Sequence, residues 1–207
     1  MEFNQEIQYD DTLSWINTHD DDLWIFDKLI LSKKLGYTCG PHGVDVPEPG
    51  EYIVRPCVNL MGMGRGARFI TIEKSTDDIL EAGEFWCEVF TGRHLSVDYT
   101  DKQQVLCVEG IQNKDDPLWK WDRWTKTDDV IPYPEILEEL KGVYRFINIE
   151  MIGSKIIEIH LRHNPNWRDY TGDDMIPVFS PEFEIPEGYQ YVDDPGHYRL
   201  GFLQKSS

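Results

Sequence analysis

The stretch Asn148-Ile149-Glu150-Met151-Ile152-Gly153-Ser154-Lys155-Ile156-Ile157-Glu158-Ile159-His160-Leu161-Arg162 decides how the rest of the chain is read. Two runs rich in isoleucine flank Gly153-Ser154, a pair suited to a tight turn, so 145–152 and 155–161 are predicted to pair as a hairpin. Side chains alternate across a strand. That puts Glu158, His160 and Arg162 on one face, and Asn148 and Glu150 on one face of the neighbouring strand. Both glutamates then converge. Two carboxylates with an imidazole suit a hard divalent cation such as Mg²⁺ or Mn²⁺, which makes Glu150, Glu158 and His160 the candidate metal ligands. Arg162 stands where it meets a phosphate bridged by such a metal. The competing reading is a solvated polar face opposite the apolar Ile147, Ile149, Ile157 and Ile159.

Upstream, the strand-like Tyr52-Ile53-Val54-Arg55-Pro56 leads into Gly62-Met63-Gly64-Arg65-Gly66-Ala67, and Arg68 to Glu73 reads as the next strand. Glycine lets the backbone approach phosphate oxygens and turn its N–H groups toward them. The spacing matches neither a P-loop nor a dinucleotide-binding fingerprint. A plain glycine-rich hairpin turn is the alternative.

Composition narrows the classes. The 207 residues suggest one domain with a core of useful size, 40% of residues being hydrophobic and 13% aromatic. A net charge of -18 argues against nucleic acid as the main partner, because such a surface repels a phosphate backbone. Against that field, a basic residue inside an apolar motif is informative. Cys39, Cys57, Cys87 and Cys107 form no Cys-x-x-Cys pair, which disfavours structural zinc and fits a reduced, cytoplasmic setting. No run approaches the roughly 20 apolar residues that span a bilayer. The acidic start, residues 1–22, lacks the pattern of a secretory signal.

Leu23, Phe26, Ile30, Leu31 and Leu35 recur at helical spacing, with Gly36 placed as a C-terminal cap. Residues 84–90 and 94–99 read as a hairpin around Thr91-Gly92-Arg93, and 105–109 as a further strand. Tyr133 to Lys141 reads as a short helix with Pro134 in its first turn. Trp119, Trp121 and Trp124, interleaved with Lys120, Arg123 and Lys126, form either an acceptor lid or a packed surface loop. The tail from 164 is rich in proline, glycine and aromatics. Strands dominate with a few helices, so the class is α+β. The expected organisation is a lead-in at 1–22, a nucleotide-clasping domain at 23–164 and an extension at 165–207 that packs on it.

In order and spacing, these motifs resemble the ATP-grasp superfamily, whose members form acyl-phosphate intermediates and ligate carboxylates to amines or thiols. Phe26-Asp27-Lys28 with Val44-Asp45-Val46-Pro47 resembles the family's opening segment. Arg55 occupies the place of the basic residue carried to the ATP phosphates, where lysine is commoner, and Gly62 to Ala67 resembles the mobile loop above them. Glu84 to Asp98 resembles the hinge beside adenine and ribose, which implies that Phe85, Trp86 and Glu88 line the nucleotide. Asn148 to Glu150 and Glu158 to Arg162 resemble the metal and phosphate strands, with His160 where the family has asparagine and His94 where the hinge has glutamate. Asn164 is a candidate to supply the displaced amide, while His163 reads as part of a capped turn.

The resemblance covers roughly residues 24–164 and implies antiparallel sheets and a few helices clasping a nucleotide cleft. It implies an ATP- and Mg²⁺-dependent ligase acting on a small-molecule or peptide carboxylate, with Arg55 and Arg162 holding phosphates. No separate N-terminal α/β domain precedes the clasp in this sequence, so a second copy or a partner protein is expected to complete the acceptor site. The alternatives are a small-molecule kinase on the same scaffold, a non-catalytic module, and a β-rich protein binding sugars or bases through its tryptophans.

Overall fold

The periodic run 23–35 is two helices, and Asp27 is the reason. A computed structural model describes residues 11–60, 64–167, 170, 172–196 and 199–205. Helix α1 (Asp11–Asn17) is followed by a 3-10 helix, Asp20–Phe26, and then by α2 (Lys28–Lys34). Asp27 leaves helical geometry at φ -89, ψ 102. Its Oδ1 accepts from the backbone N–H groups of Leu29 (2.9 Å) and Ile30 (3.0 Å), the bonds of an N-cap. Gly36 at φ 74 ends α2, with its N–H on Lys33 O (3.1 Å) and that of Tyr37 on Ser32 O (3.0 Å).

The strands build two antiparallel sheets. Four, β1 (Cys39–Pro41), β2 (Gly50–Pro56), β3 (Arg68–Ile72) and β4 (Glu84–Glu88), form a sheet in the order β1-β4-β2-β3. The remaining strands are β5 (His94–Thr100), β6 (Gln103–Ile111), β7 (Arg123–Lys126), β8 (Phe146–Ile152), β9 (Lys155–His160), β10 (Asp174–Val178), β11 (Tyr189–Gly196) and β12 (Arg199–Lys205). They form the second sheet in the order β11-β12-β10-β7-β6-β5-β8-β9. This is the expected α+β class.

One expectation gives way. Segments 84–90 and 94–99 are not a hairpin: β4 belongs to the small sheet and β5 to the large one, and 89–93 crosses between them. Gly92 sets that path. It holds φ 126, and a Cβ there would lie 2.7 Å from the Gly153 Cα, so the crossing passes directly against the β8–β9 turn. The tail supplies β10, β11 and β12 to the large sheet. Pro177 is tolerated inside β10 because β7 pairs only with Asp174 and Met175, so no neighbour on that side asks for its missing N–H. Glu135–Glu139 is a 3-10 helix with Pro134 at its N-cap.

Alternation sorts the large sheet into two faces. Leu95, Val97 and Tyr99 of β5 and Ile147, Ile149 and Met151 of β8 join Ile25, Phe26 and Leu31 in one core. Val97 and Ile149 are fully buried, each contributing about 1.5–3 kcal/mol of hydrophobic stabilisation. The opposite face carries His94, Ser96, Asp98, Asn148, Glu150, Glu158 and His160. Ser96, Asp98, Asn148 and His160 of this set are buried, so it is not a solvated face. Val108, Trp124, Trp167, Met175 and Phe202 form a further apolar cluster toward β12. Among the described residues no helix is long and apolar enough to cross a membrane.

Candidate nucleotide cleft

Where the sheets face each other they enclose a cavity of about 350 Å³. The β8–β9 hairpin forms its floor. Asn148 lies opposite His160 and Glu150 opposite Glu158, one residue out of the register that the tight turn alone would set. The ladder then shifts, pairing Met151 with Ile156, so Ile157 is a bulge residue. Its carbonyl turns across the cleft and accepts from Arg55 Nη1 at 3.1 Å.

Arg55 reaches this point from β2 with its guanidinium over the Phe85 ring, 5.1 Å from the centroid. It is 9% exposed, and its Nε is buried without a hydrogen-bond partner. Among the described residues no carboxylate forms a salt bridge with it. Burial depresses its pKa from the usual arginine range, opposed by longer-range charges that include Glu158. An arginine this buried and this poorly satisfied is costly to the fold alone.

The two glutamates and His160 do meet. His160 Nε2 lies 3.7 Å from Glu158 Oε1 and 4.0 Å from Glu150 Oε1. Protein nitrogens already approach both carboxylates: Lys28 Nζ is 2.8 Å from Glu158, and His94 Nε2 is 3.4 Å from Glu150. Burial works to raise the Glu150 pKa. The nearby His94 ring and the charges of His160 and Arg162 overcome this and hold it at about 2. For His160, burial disfavours the cation, but the Asp11 carboxylate outweighs it and raises the imidazole above its usual range, helped by Glu158 and opposed by Arg162. No group of three His, Cys, Asp or Glu side chains among the described residues is placed to hold a metal ion by itself. The donor set still fits Mg²⁺, which commonly takes one or two carboxylates and completes its shell with phosphate oxygens and water.

Arg162 lines the cavity, yet Asp11 of α1 already grips it. Nε donates to Asp11 Oδ1 and Nη2 to Oδ2, both at 2.8 Å, and Nη1 donates to His163 O at 3.0 Å. Beneath the floor, Asn148 Nδ2 donates to Ser96 Oγ and Asp98 Oδ1, each at 2.8 Å. Asn164 joins through Nδ2 to Ser96 Oγ (3.1 Å) and through its backbone N–H to Asp98 Oδ1 (2.9 Å). Burial raises the Asp98 pKa against the opposing pull of His163 and these donors.

Phe85, Trp86 and Glu88, expected to line the nucleotide, do not border the cavity. The cavity wall in that segment is Val89 and Phe90. Alternation along β4 accounts for this. Phe85 pairs with Arg55 and lies behind it, whereas Trp86 pairs with Val54 and turns to the far face. There Trp86 packs against Tyr52 and donates Nε1 to Val44 O at 2.9 Å. The Glu88 carboxylate accepts from the Thr38 N–H at 2.8 Å. Gly64 and Gly66 hold φ 60 and 76 in the β2–β3 turn, and Gly64 borders the cavity; Gly62 lies outside the described residues. The tryptophan segment is a packed element that also reaches the cavity. Trp121 and Trp124 border the cavity, and they also pack on His94 with ring centroids 4.5 and 5.7 Å away.

The cavity gathers Lys28, Arg55, Arg65, Arg162 and Arg199 against only Glu150, Glu158 and Asp194, on a chain of net charge -18. Lys28 belonged to the quoted Asp27-Lys28 pair, so its signal was present in the sequence. Asp11 and Arg199, in the lead-in and the tail, had none.

No protein-family model matches the sequence, and no curated protein matches it. Solved structures do. A protein of Archaeoglobus fulgidus assigned to the ATP-grasp superfamily superposes with TM-score 0.54 at 17% identity, covering 87% of this chain and 64% of its own. The N5-carboxyaminoimidazole synthetase of Staphylococcus aureus, solved with ADP, gives TM-score 0.52 at 11% identity, covering 87% and 67%. The corresponding synthase of Aspergillus clavatus, with ADP and 5-aminoimidazole ribonucleotide, gives 0.50 at 13%, covering 89% and 69%. This chain thus spans about two thirds of the length of each. With two antiparallel sheets closing on one cleft, it has the ATP-grasp fold.

Proposed function

We propose that the cleft binds Mg-ATP and that the protein is an ATP-dependent ligase. The observation that carries this reading is Arg55: a buried cation at the cavity wall, without a carboxylate partner and with an unmet Nε. A polyanion entering the cleft supplies what Arg55 lacks. The excess of positive charge along the wall supports the same conclusion in an otherwise acidic protein.

In this reading Val89 and Phe90 flank the base, and the Gly64–Gly66 turn lies over the phosphates, which Arg55 and Arg162 steady. Glu150 and Glu158 hold the divalent cation, with His160 beside them. When bound, that cation neutralises charge building between the β- and γ-phosphates. An acceptor carboxylate attacks the γ-phosphorus and ADP departs. An amine then attacks the acyl carbon of the resulting acyl phosphate, losing a proton as phosphate leaves. The chain's task is positioning and charge compensation, and no side chain acts as a covalent nucleophile.

One observation favours a non-catalytic nucleotide-binding module instead: Asp11 already holds Arg162 by two bonds. Calorimetric titration with ATP, in Mg²⁺ and then in EDTA, tests the binding claim. Saturable, metal-dependent binding that is lost in Glu158→Gln is expected. Well-folded protein that binds no ATP in either buffer sinks the proposal. Release of ADP on adding candidate carboxylates separates the ligase from the module.

A further inference from the structure

Asp11 lies 149 residues from His160 and 151 from Arg162. It is 4% exposed, so its carboxylate is wholly given to these two partners. Oδ1 faces His160 Nδ1 at 2.9 Å and Arg162 Nε at 2.8 Å, while Oδ2 takes Arg162 Nη2 at 2.8 Å. A carboxylate only accepts, so Nδ1 of His160 carries the proton toward Asp11. The ring's orientation follows from that bond, and Nε2 is left facing Glu158 and Glu150 on the cleft side.

The structure assigns Asp11 as a positioning residue: it locks the His160 ring with Nε2 toward the two cleft glutamates and sets the plane of the Arg162 guanidinium. This rests on the cleft being the nucleotide site. The lead-in helix is thereby part of the working site. A carboxylate holding the far nitrogen of an imidazole is the usual way a protein orients a histidine ligand, and losing it weakens metal binding about 10- to 100-fold. Asp11 also explains how histidine serves where an amide was expected. An imidazole presents one nitrogen to the cleft only if the other is committed elsewhere.

The test uses the full chain and Asp11→Asn, which preserves shape but offers one acceptor atom where two are in use. Ring ¹⁵N signals of His160, assigned by difference with His160→Gln, report its orientation without ligand. Mn²⁺ titration followed by electron paramagnetic resonance reports the cleft. In the parent protein, Nδ1 is expected to be protonated and hydrogen bonded. In Asp11→Asn that signal moves, and Mn²⁺ binds about 10- to 100-fold more weakly. In a His160→Gln background, adding Asp11→Asn changes Mn²⁺ affinity by no more than about twofold, because its route is gone. An unprotonated Nδ1 in the parent protein overturns the assignment whether or not any variant folds. So do unmoved ring signals in Asp11→Asn, unchanged Mn²⁺ affinity, or an equal loss in both backgrounds. If the parent binds no Mn²⁺ with or without ATP, the nucleotide reading fails, and the ring signals still decide the role of Asp11.

Discussion

Replacing Arg55 with methionine separates the needs of the fold from those of the site. The side chain is 9% exposed and makes one hydrogen bond to a neutral carbonyl, at 3.1 Å. Losing that bond costs about 0.5–1.5 kcal/mol, and losing the contact over Phe85 about 0.5–2 kcal/mol. On the other side stands the desolvation of a guanidinium with an unmet Nε, several kcal/mol by itself, and methionine fills similar volume without it. Arg55→Met is therefore expected to be between neutral and about 2 kcal/mol more stable, read as a raised urea midpoint at unchanged slope. Its effect on ATP is opposite. Removing a charge-assisted contact to phosphate costs about 1.5–3 kcal/mol, or roughly 10- to 150-fold in Kd by calorimetry. A variant destabilised by more than about 2 kcal/mol that still binds ATP normally would refute the reasoning and make Arg55 a structural strut.

Two further outcomes follow from the geometry. Glu150 has its folded pKa held at about 2 against an ordinary 4.5, so the stability it contributes is present above about pH 4.5 and is lost as pH falls toward 2. Asp11 is depressed in the same sense, which predicts a melting temperature at least about 5 °C lower at pH 3 than at pH 5; an unchanged value contradicts the pairing. Gly92→Ala should lose about 2–4 kcal/mol, since its Cβ meets Gly153 Cα at 2.7 Å. Gly83→Ala, at φ 89 with nothing within 4 Å, should lose only about 1–2 kcal/mol, and equal losses in denaturant melts would show that the Gly92–Gly153 contact is unimportant.

Much of the fold was legible wherever the signal was local. The period-two runs gave β2, β3, β8 and β9, and Gly153-Ser154 marked the turn between the last two, but the bulge at Ile157 that sets Glu150 opposite Glu158 had no local signal. Gly36 marked the end of α2. What could not be read depended on distant partners. Whether 84–99 folds back as one hairpin or spans two sheets is decided at Gly153, some sixty residues away, where the crossing passes. Strand β10 carries a proline and looks irregular until β7 is seen to stop short of it. Asp11 sits in a polar helical turn like any surface acid, and only the folded chain brings it to His160. Of the segment 84–90, the cavity is bordered by Val89 and Phe90, because alternation along β4 turns Trp86 and Glu88 to the far face.

The way the small sheet is attached has a mechanical consequence. Its first and last strands, β1 and β4, are neighbours, with Cys39 opposite Cys87. The two connectors, 35–38 and 89–93, therefore leave side by side, like the pins of a door. Torsion in these short segments swings the sheet about one axis without breaking a bond of its own ladder. Displacement grows with distance from the pins. With strands about 4.8 Å apart, β3 lies about 10 Å beyond β4, so a 20° swing carries it roughly 3 to 4 Å. Arg55 on β2 travels about half as far. Strand β3, farthest from the axis, thus has the longest throw, while Arg55, nearer the axis, has a shorter one.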